Sequence, residues 1–128
     1  MKKIAVVHGE WSSDVMRRAF ALLSEFILDY TFEYPVGFDC DKAENLDVFL
    51  ENYHPIYIGT KQNNSYIRNN SDFCLQHPEE YGINVSNGKI IVEGFDDRGV
   101  LYGCIDLYNK YGNGTAFNTI TIRQENTT

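Results

Sequence analysis

The chain has 128 residues, 43% of them hydrophobic and 14% aromatic, which is apolar material for one domain with one core. A formal net charge of -7 excludes a nucleic-acid groove, because such a groove needs clustered Lys and Arg to displace counterions from phosphates. Adsorption to an anionic membrane is excluded on the same ground.

"KIAVV", residues 3 to 7, reads as a fully buried strand, a short β-branched run ended by "HGEWSSD". Ser12, Ser13 and Asp14 offer side-chain oxygens that can accept the free N–H groups of a first helical turn. Val15, Ala19, Leu22, Leu23, Phe26 and Tyr30 then recur at spacings of three and four, with Arg17, Arg18, Ser24 and Glu25 on the other side, so a long amphipathic helix is expected. "TFEYPV", 31 to 36, alternates like a half-buried strand, with Pro35 suited to an edge or an end. Asp41 and Glu44 have the spacing of a capping box, and Leu46, Phe49, Leu50 and Tyr53 form an apolar stripe, so a short helix follows. "PIYIG", 55 to 59, is a third strand. The span from Thr60 to Glu80 is polar and rich in Asn and Ser, and reads mostly as a long surface loop. "YGINVSNGKIIVEG", 81 to 94, gives two strands around Asn87-Gly88, a hairpin signal because both turn positions need positive φ. "TAFNTITIRQENTT" supplies a possible last strand.

The stretch "EGFDDRGVLYGCIDLYNKYG", 93 to 112, puts glycines at 94, 99 and 103 between a strand and a helix, where phosphate-binding loops sit. The chemistry is missing: Val100 and Leu101 stand where such a loop needs Lys and Ser or Thr. The dinucleotide fingerprint fails as well, since the glycine spacing is wrong and two carboxylates occupy the place of the pyrophosphate. Asp96 or Asp97 is read as a helix N-cap favoured by the helix dipole. Gly99 and Gly103 share one helix face, surrounded by Val100, Leu101, Cys104, Ile105, Leu107, Tyr108 and Tyr111, and are read as a device for close packing. Gly112 is expected to end that helix. Gly88, Asp96, Gly99 and Gly103 are thus structural residues.

The order "EEYGINVSNGKIIVEGFDDRGVLYGCIDLY" resembles the small domain that precedes the catalytic barrel in several glycoside hydrolases, notably α-glucuronidases and β-N-acetylhexosaminidases. The "YxIxV" strand of that pattern is matched by Tyr81, Ile83 and Val85, the "IxIxG" strand by Ile90, Val92 and Gly94, and the "GxLYGxxxL" helix by Gly99, Leu101, Tyr102, Gly103 and Leu107. "PIYIGT" and "KIAVV" with its helix look like the upstream elements of the same domain, while the Asn-rich loop has no counterpart. The resemblance implies an α+β domain, a mixed sheet with helices packed mainly on one face and a hairpin at 81–94 followed by a C-terminal helix. The resemblance further implies a fold of the kind grouped with zincins, here without their metal motif.

No zinc site is expected from the residues either. His8, His54 and His77 lie far apart, Cys74-x-x-His77 is a half-site without a partner pair, and "DCD" at 39 to 41 is another fragment. Of the three cysteines, Cys104 lies on the apolar helix stripe and reads as a small core hydrophobe rather than a nucleophile. An odd count among mixed neighbours points to reduced thiols and, with no apolar run long enough for a signal peptide, to a cytoplasmic protein. Five N-x-Ser/Thr matches, at Asn63, Asn69, Asn84, Asn113 and Asn126, matter only in a eukaryotic secretory pathway.

Glycoside hydrolysis needs two carboxylates flanking a sugar, or one with substrate assistance. Glu79-Glu80 and Asp96-Asp97 are adjacent pairs better read as a solvated turn and a cap, and the barrel that carries the catalytic groups in the resembled enzymes exceeds this chain's length. No catalytic residue, metal or cofactor is therefore expected. Trp11, Tyr66 and Arg98 are the candidate ligand contacts: two loop aromatics able to stack on a sugar and a guanidinium able to reach a carboxylate. The expectation is a single accessory domain over 1–128, the N-terminal part of a longer glycoside hydrolase, partnered by its catalytic barrel and by neither nucleic acid nor membrane. The alternative is an independent module binding carbohydrate or protein through the loop from 60 to 78.

Overall fold

The computed structural model describes residues 3–42, 45–86, 88–111 and 123–125. Its elements run β1 (Lys3–His8), α1 (Asp14–Thr31), β2 (Val36–Asp39), α2 (Leu46–Leu50), β3 (Tyr53–Gly59), α3 (Ser65–Asn70), β4 (Tyr81–Ser86), β5 (Lys89–Gly94), α4 (Asp97–Tyr111) and β6 (Arg123–Glu125). The strands form one mixed sheet in the order β2-β1-β3-β5-β4-β6. β2, β1, β3 and β5 are parallel neighbours, whereas β4 runs antiparallel to both β5 and β6.

Alternation along the strands builds two cores. Ile4, Val6, Ile56, Ile58, Ile83 and Val92 face one side and pack against Met16, Leu23, Phe26 and Ile27 of α1 and Val100, Cys104 and Leu107 of α4. Ala5, Val7, Tyr57 and Ile91 face the other side, where α2 contributes Leu50 and α3 contributes Ile67. The two long helices thus share one face, and two short helices cover part of the opposite one. Because β1 is buried on both faces, its sequence is a continuous apolar run rather than an alternation. Burying each of the large side chains contributes roughly 1.5–3 kcal/mol. The fold is the expected α+β class with a mixed sheet, and the hairpin joins β4 to β5 through Gly88 at φ 77°, with Ser86 paired to Lys89. Asn87, Glu44, Gly112 and most of the expected last strand lie outside the described residues, and the described part of that strand is β6.

α1 begins as its caps predict, with the Ser13 hydroxyl accepting from the Met16 N–H at 3.4 Å. Its buried face is turned slightly from the expected stripe: Met16, Ala19, Leu23, Ser24, Phe26 and Ile27 are buried, and Val15, Leu22 and Tyr30 are half-buried. Ser24 is accommodated because its hydroxyl donates to the Phe20 carbonyl at 2.8 Å.

Three expectations are corrected. "TFEYPV" is not a strand: α1 runs through Thr31, Phe32 closes it in the left-handed region, and β2 starts only at Val36, after Pro35. Phe32 and Tyr34 are consequently exposed, at 87% and 60%. Asp41 is not the cap of the short helix: Asn45, at φ 56°, precedes a five-residue α2, Tyr53 belongs to β3, and Glu44 lies outside the described residues. The span after Thr60 is no surface loop throughout. Thr60, Asn63 and Asn64 are buried, Asn64 caps α3 by accepting from the Ile67 N–H at 3.1 Å, and Phe73 is buried over Gly82. Asn-rich sequence reads as loop because Asn side chains compete with backbone pairing, yet here those side chains replace it.

Candidate functional site

The carboxyl ends of β1 and β3 are where an open parallel sheet offers a crevice, since the connection from β1 turns towards β2 and that from β3 turns away towards β5. In this chain Asn63 and Asn64 of the β3–α3 loop occupy the crevice. Asn64 is fully buried there, and its Nδ2 donates to the carbonyls of Val7 at 3.3 Å and Ile58 at 2.9 Å, bridging the two strands. Its Oδ1 also accepts from the Cys40 thiol at 3.4 Å. The Asn63 carbonyl accepts from the Glu10 N–H at 2.8 Å, so the β3–α3 loop is strapped onto the β1–α1 loop.

The strap extends to α4. Asn63 Nδ2 donates to Ser12 Oγ at 3.1 Å and to Asp97 Oδ1 at 3.3 Å, and the hydroxyls of Ser12 and Ser13 donate to Asp97 Oδ2 at 2.8 and 2.6 Å. One carboxylate therefore ties three crossover loops together. Asp96 acts elsewhere, since its Oδ1 accepts from the Gly99 N–H at 2.9 Å as the α4 cap and its Oδ2 accepts from the Glu79 N–H at 3.2 Å. Glu80 turns inward and accepts from the Gln76 N–H at 2.7 Å, whereas Glu79 meets Arg98 at 3.8 Å. Glu79 and Glu80 thus point apart, while Asp96 and Asp97 border one open depression with carboxylates already hydrogen-bonded to protein groups. A further carboxylate, Glu93 at the end of β5, is buried and held by Lys61 at 3.2 Å and by the Ser71 hydroxyl. The sequence reading missed it, although Glu inside an apolar strand is itself a signal of a paired buried charge. Among the described residues no buried side-chain nitrogen or oxygen lacks a hydrogen-bond partner.

The three candidate ligand contacts do not converge. Trp11, half-buried in the β1–α1 loop, stacks on His8 at 4.1 Å, meets Phe20 edge-on at 5.5 Å and carries the Arg17 guanidinium 5.4 Å from its ring centroid. Tyr66 lies on α3 rather than in a loop, stacked on Tyr57 at 3.7 Å, with Lys89 Nζ donating to its hydroxyl at 2.9 Å. Burial and the neighbouring Tyr66 push the Tyr57 hydroxyl pKa up, keeping it neutral. Both aromatics are thus engaged by protein groups. Arg98 is the freest of the three, at the rim of an open depression lined also by Ser12, Val15, Gln62, Asp96 and Asp97.

Asp39, Cys40 and Asp41 bring three possible ligand atoms within 4.8 Å of one another at the end of β2, the one such group among the described residues. Those groups are bonded within the protein: the Asp41 N–H donates to Asp39 Oδ1 at 2.9 Å, and the Ser65 hydroxyl donates to Asp41. His8 is buried beneath Trp11, and Cys74 and His77 are exposed. Among the described residues no helix is long and apolar enough to cross a membrane.

Comparison with known proteins places the fold. No family model and no curated protein matches the chain. Solved structures do. A family GH115 4-O-methyl-α-glucuronidase with specificity for decorated arabinogalactans aligns over 85% of this chain at 19% identity and a TM-score of 0.63. A GH138 enzyme targeting pectin rhamnogalacturonan II aligns over 97% at 14% identity and a TM-score of 0.64, and a GH84 protein over 96% at 13% identity and 0.58. This chain has a fold found within glycoside hydrolases. It covers only 14%, 15% and 19% of those three chains, in the same order.

Proposed function

We propose that this chain is a non-catalytic accessory domain of a glycoside hydrolase, the N-terminal part of a longer polypeptide that packs against a catalytic barrel. The observation that carries the reading is the span of the fold likeness: nearly all of this chain aligns onto less than a fifth of each of the three solved enzymes. Three features support it. The crevice at the ends of β1 and β3 is filled by Asn63 and Asn64, the adjacent carboxylate pairs are bound up in separate structural contacts, and Trp11 and Tyr66 are committed to internal stacks. Exposed apolar side chains, among them Phe49, Tyr102, Ile105 and Tyr108, supply surface for contact with a companion domain, and intrachain contacts of that kind cover roughly 600–1,500 Å². The rival reading, a module binding carbohydrate or protein through residues 60 to 78, loses support because much of that span is buried or hydrogen-bonded to the body of the domain.

The α-glucuronidase-like or hexosaminidase-like character of the parent rests on the sequence pattern around Tyr81 to Leu107. Hydrogen exchange of the isolated 1–128 chain, compared with a gene product continuing past Thr128, tests the docking. Protection gained by one contiguous surface is the expected result. If every surface segment exchanges equally in both, the accessory reading fails and the independent module stands.

A further inference from the structure

We draw no further inference here: the strongest candidate, the outward apolar stripe of α4 formed by Tyr102, Ile105 and Tyr108, carries none because nothing in the structure shows what covers it.

Discussion

Gly9 and Asn63 approach so closely that a Cβ placed on Gly9 would lie 1.7 Å from the Asn63 carbonyl oxygen. Both belong to backbone that cannot yield cheaply, because the same carbonyl accepts the Glu10 N–H at 2.8 Å. Gly9→Ala is therefore expected to destabilise the domain by at least the roughly 1–3 kcal/mol typical of overpacking. Gly37→Ala is the control, since its Cβ would meet only the tip of the Phe20 ring at 3.0 Å. Urea titration of both variants checks the difference; equal midpoints would mean the two loops are not in contact.

The two glycines of α4 should not be equivalent. A Cβ on Gly99 would come within 2.4 Å of the Glu80 carbonyl oxygen, whereas one on Gly103 would press on Val92 Cγ1 at 2.6 Å and Tyr81 Cδ2 at 3.3 Å. Backbone resists displacement more than side chains do, so Gly99→Ala should cost more than Gly103→Ala. Gly103→Leu should cost several kcal/mol, since it drives a large side chain into the hairpin. Melting temperatures of the three variants test the order, and an unchanged value for Gly103→Leu would show that this helix face is not packed on β4 and β5.

Asn64→Ala removes the donor that satisfies Val7 and Ile58 and the acceptor that caps α3. Leaving buried polar groups unpaired costs about 1–3 kcal/mol, and losing the cap adds about 1 kcal/mol. Asn69→Ala, on an exposed position of the same helix, should change stability by less than about 0.5 kcal/mol. Chemical denaturation distinguishes the pair; similar values would mean that Asn64 adds nothing to the direct pairing of β1 with β3.

Stability should fall on the alkaline side. In an unfolded chain a cysteine titrates near 8.5 and a tyrosine near 10, to about a unit. Burial pushes the Cys104 thiol up to about 12, and burial together with the hydrogen bond to Asp106 pushes Tyr81 up to about 12. Both folded values lie above the unfolded ones, so the unfolded state loses its protons first. The contribution is fully present below about pH 8 and is lost as pH rises towards about 12. Melting temperature measured from pH 8 to 11 should decline, and less steeply in Cys104→Ala. An identical slope in that variant would mean that Cys104 is not buried as described. Alkylation at pH 8 adds a second reading: exposed Cys74 should react first and Cys104 last.

The isolated chain should not hydrolyse aryl glycosides of glucuronic acid, N-acetylhexosamine or neutral sugars. Acid and nucleophile or base must flank one sugar, roughly 5–10 Å apart, whereas Asp96 caps α4 and Asp97 binds two serines and an asparagine. Release of nitrophenol above the buffer rate, abolished by substituting a single carboxylate, would overturn the non-catalytic reading.

The sequence by itself determined the elements whose patterns are local. A β-branched run gave β1, period-four apolar spacing gave α1 and α4, and Asn87-Gly88 between alternating strands gave the hairpin, because each depends on backbone geometry and burial within a dozen residues. The packing of Gly99 and Gly103 was also legible, since two side-chain-free positions on one face imply a close neighbour. Tertiary structure alone decided what depends on distant partners. The alternation in "TFEYPV" was outweighed by α1, which continues to Thr31 and ends at the left-handed Phe32. The Asn-rich stretch looked like loop, yet Asn63 and Asn64 bond to Val7, Ser12 and Asp97, from 34 to 57 positions away. Nothing in a local window shows that an asparagine's amide will serve two strands, or that Ser12 and Ser13 will bond to Asp97, 85 and 84 positions away. Hydrophobic periodicity records which face of an element is buried, whereas a polar side chain's partner is fixed only once the sheet has brought the ends of β1, β3 and β5 together.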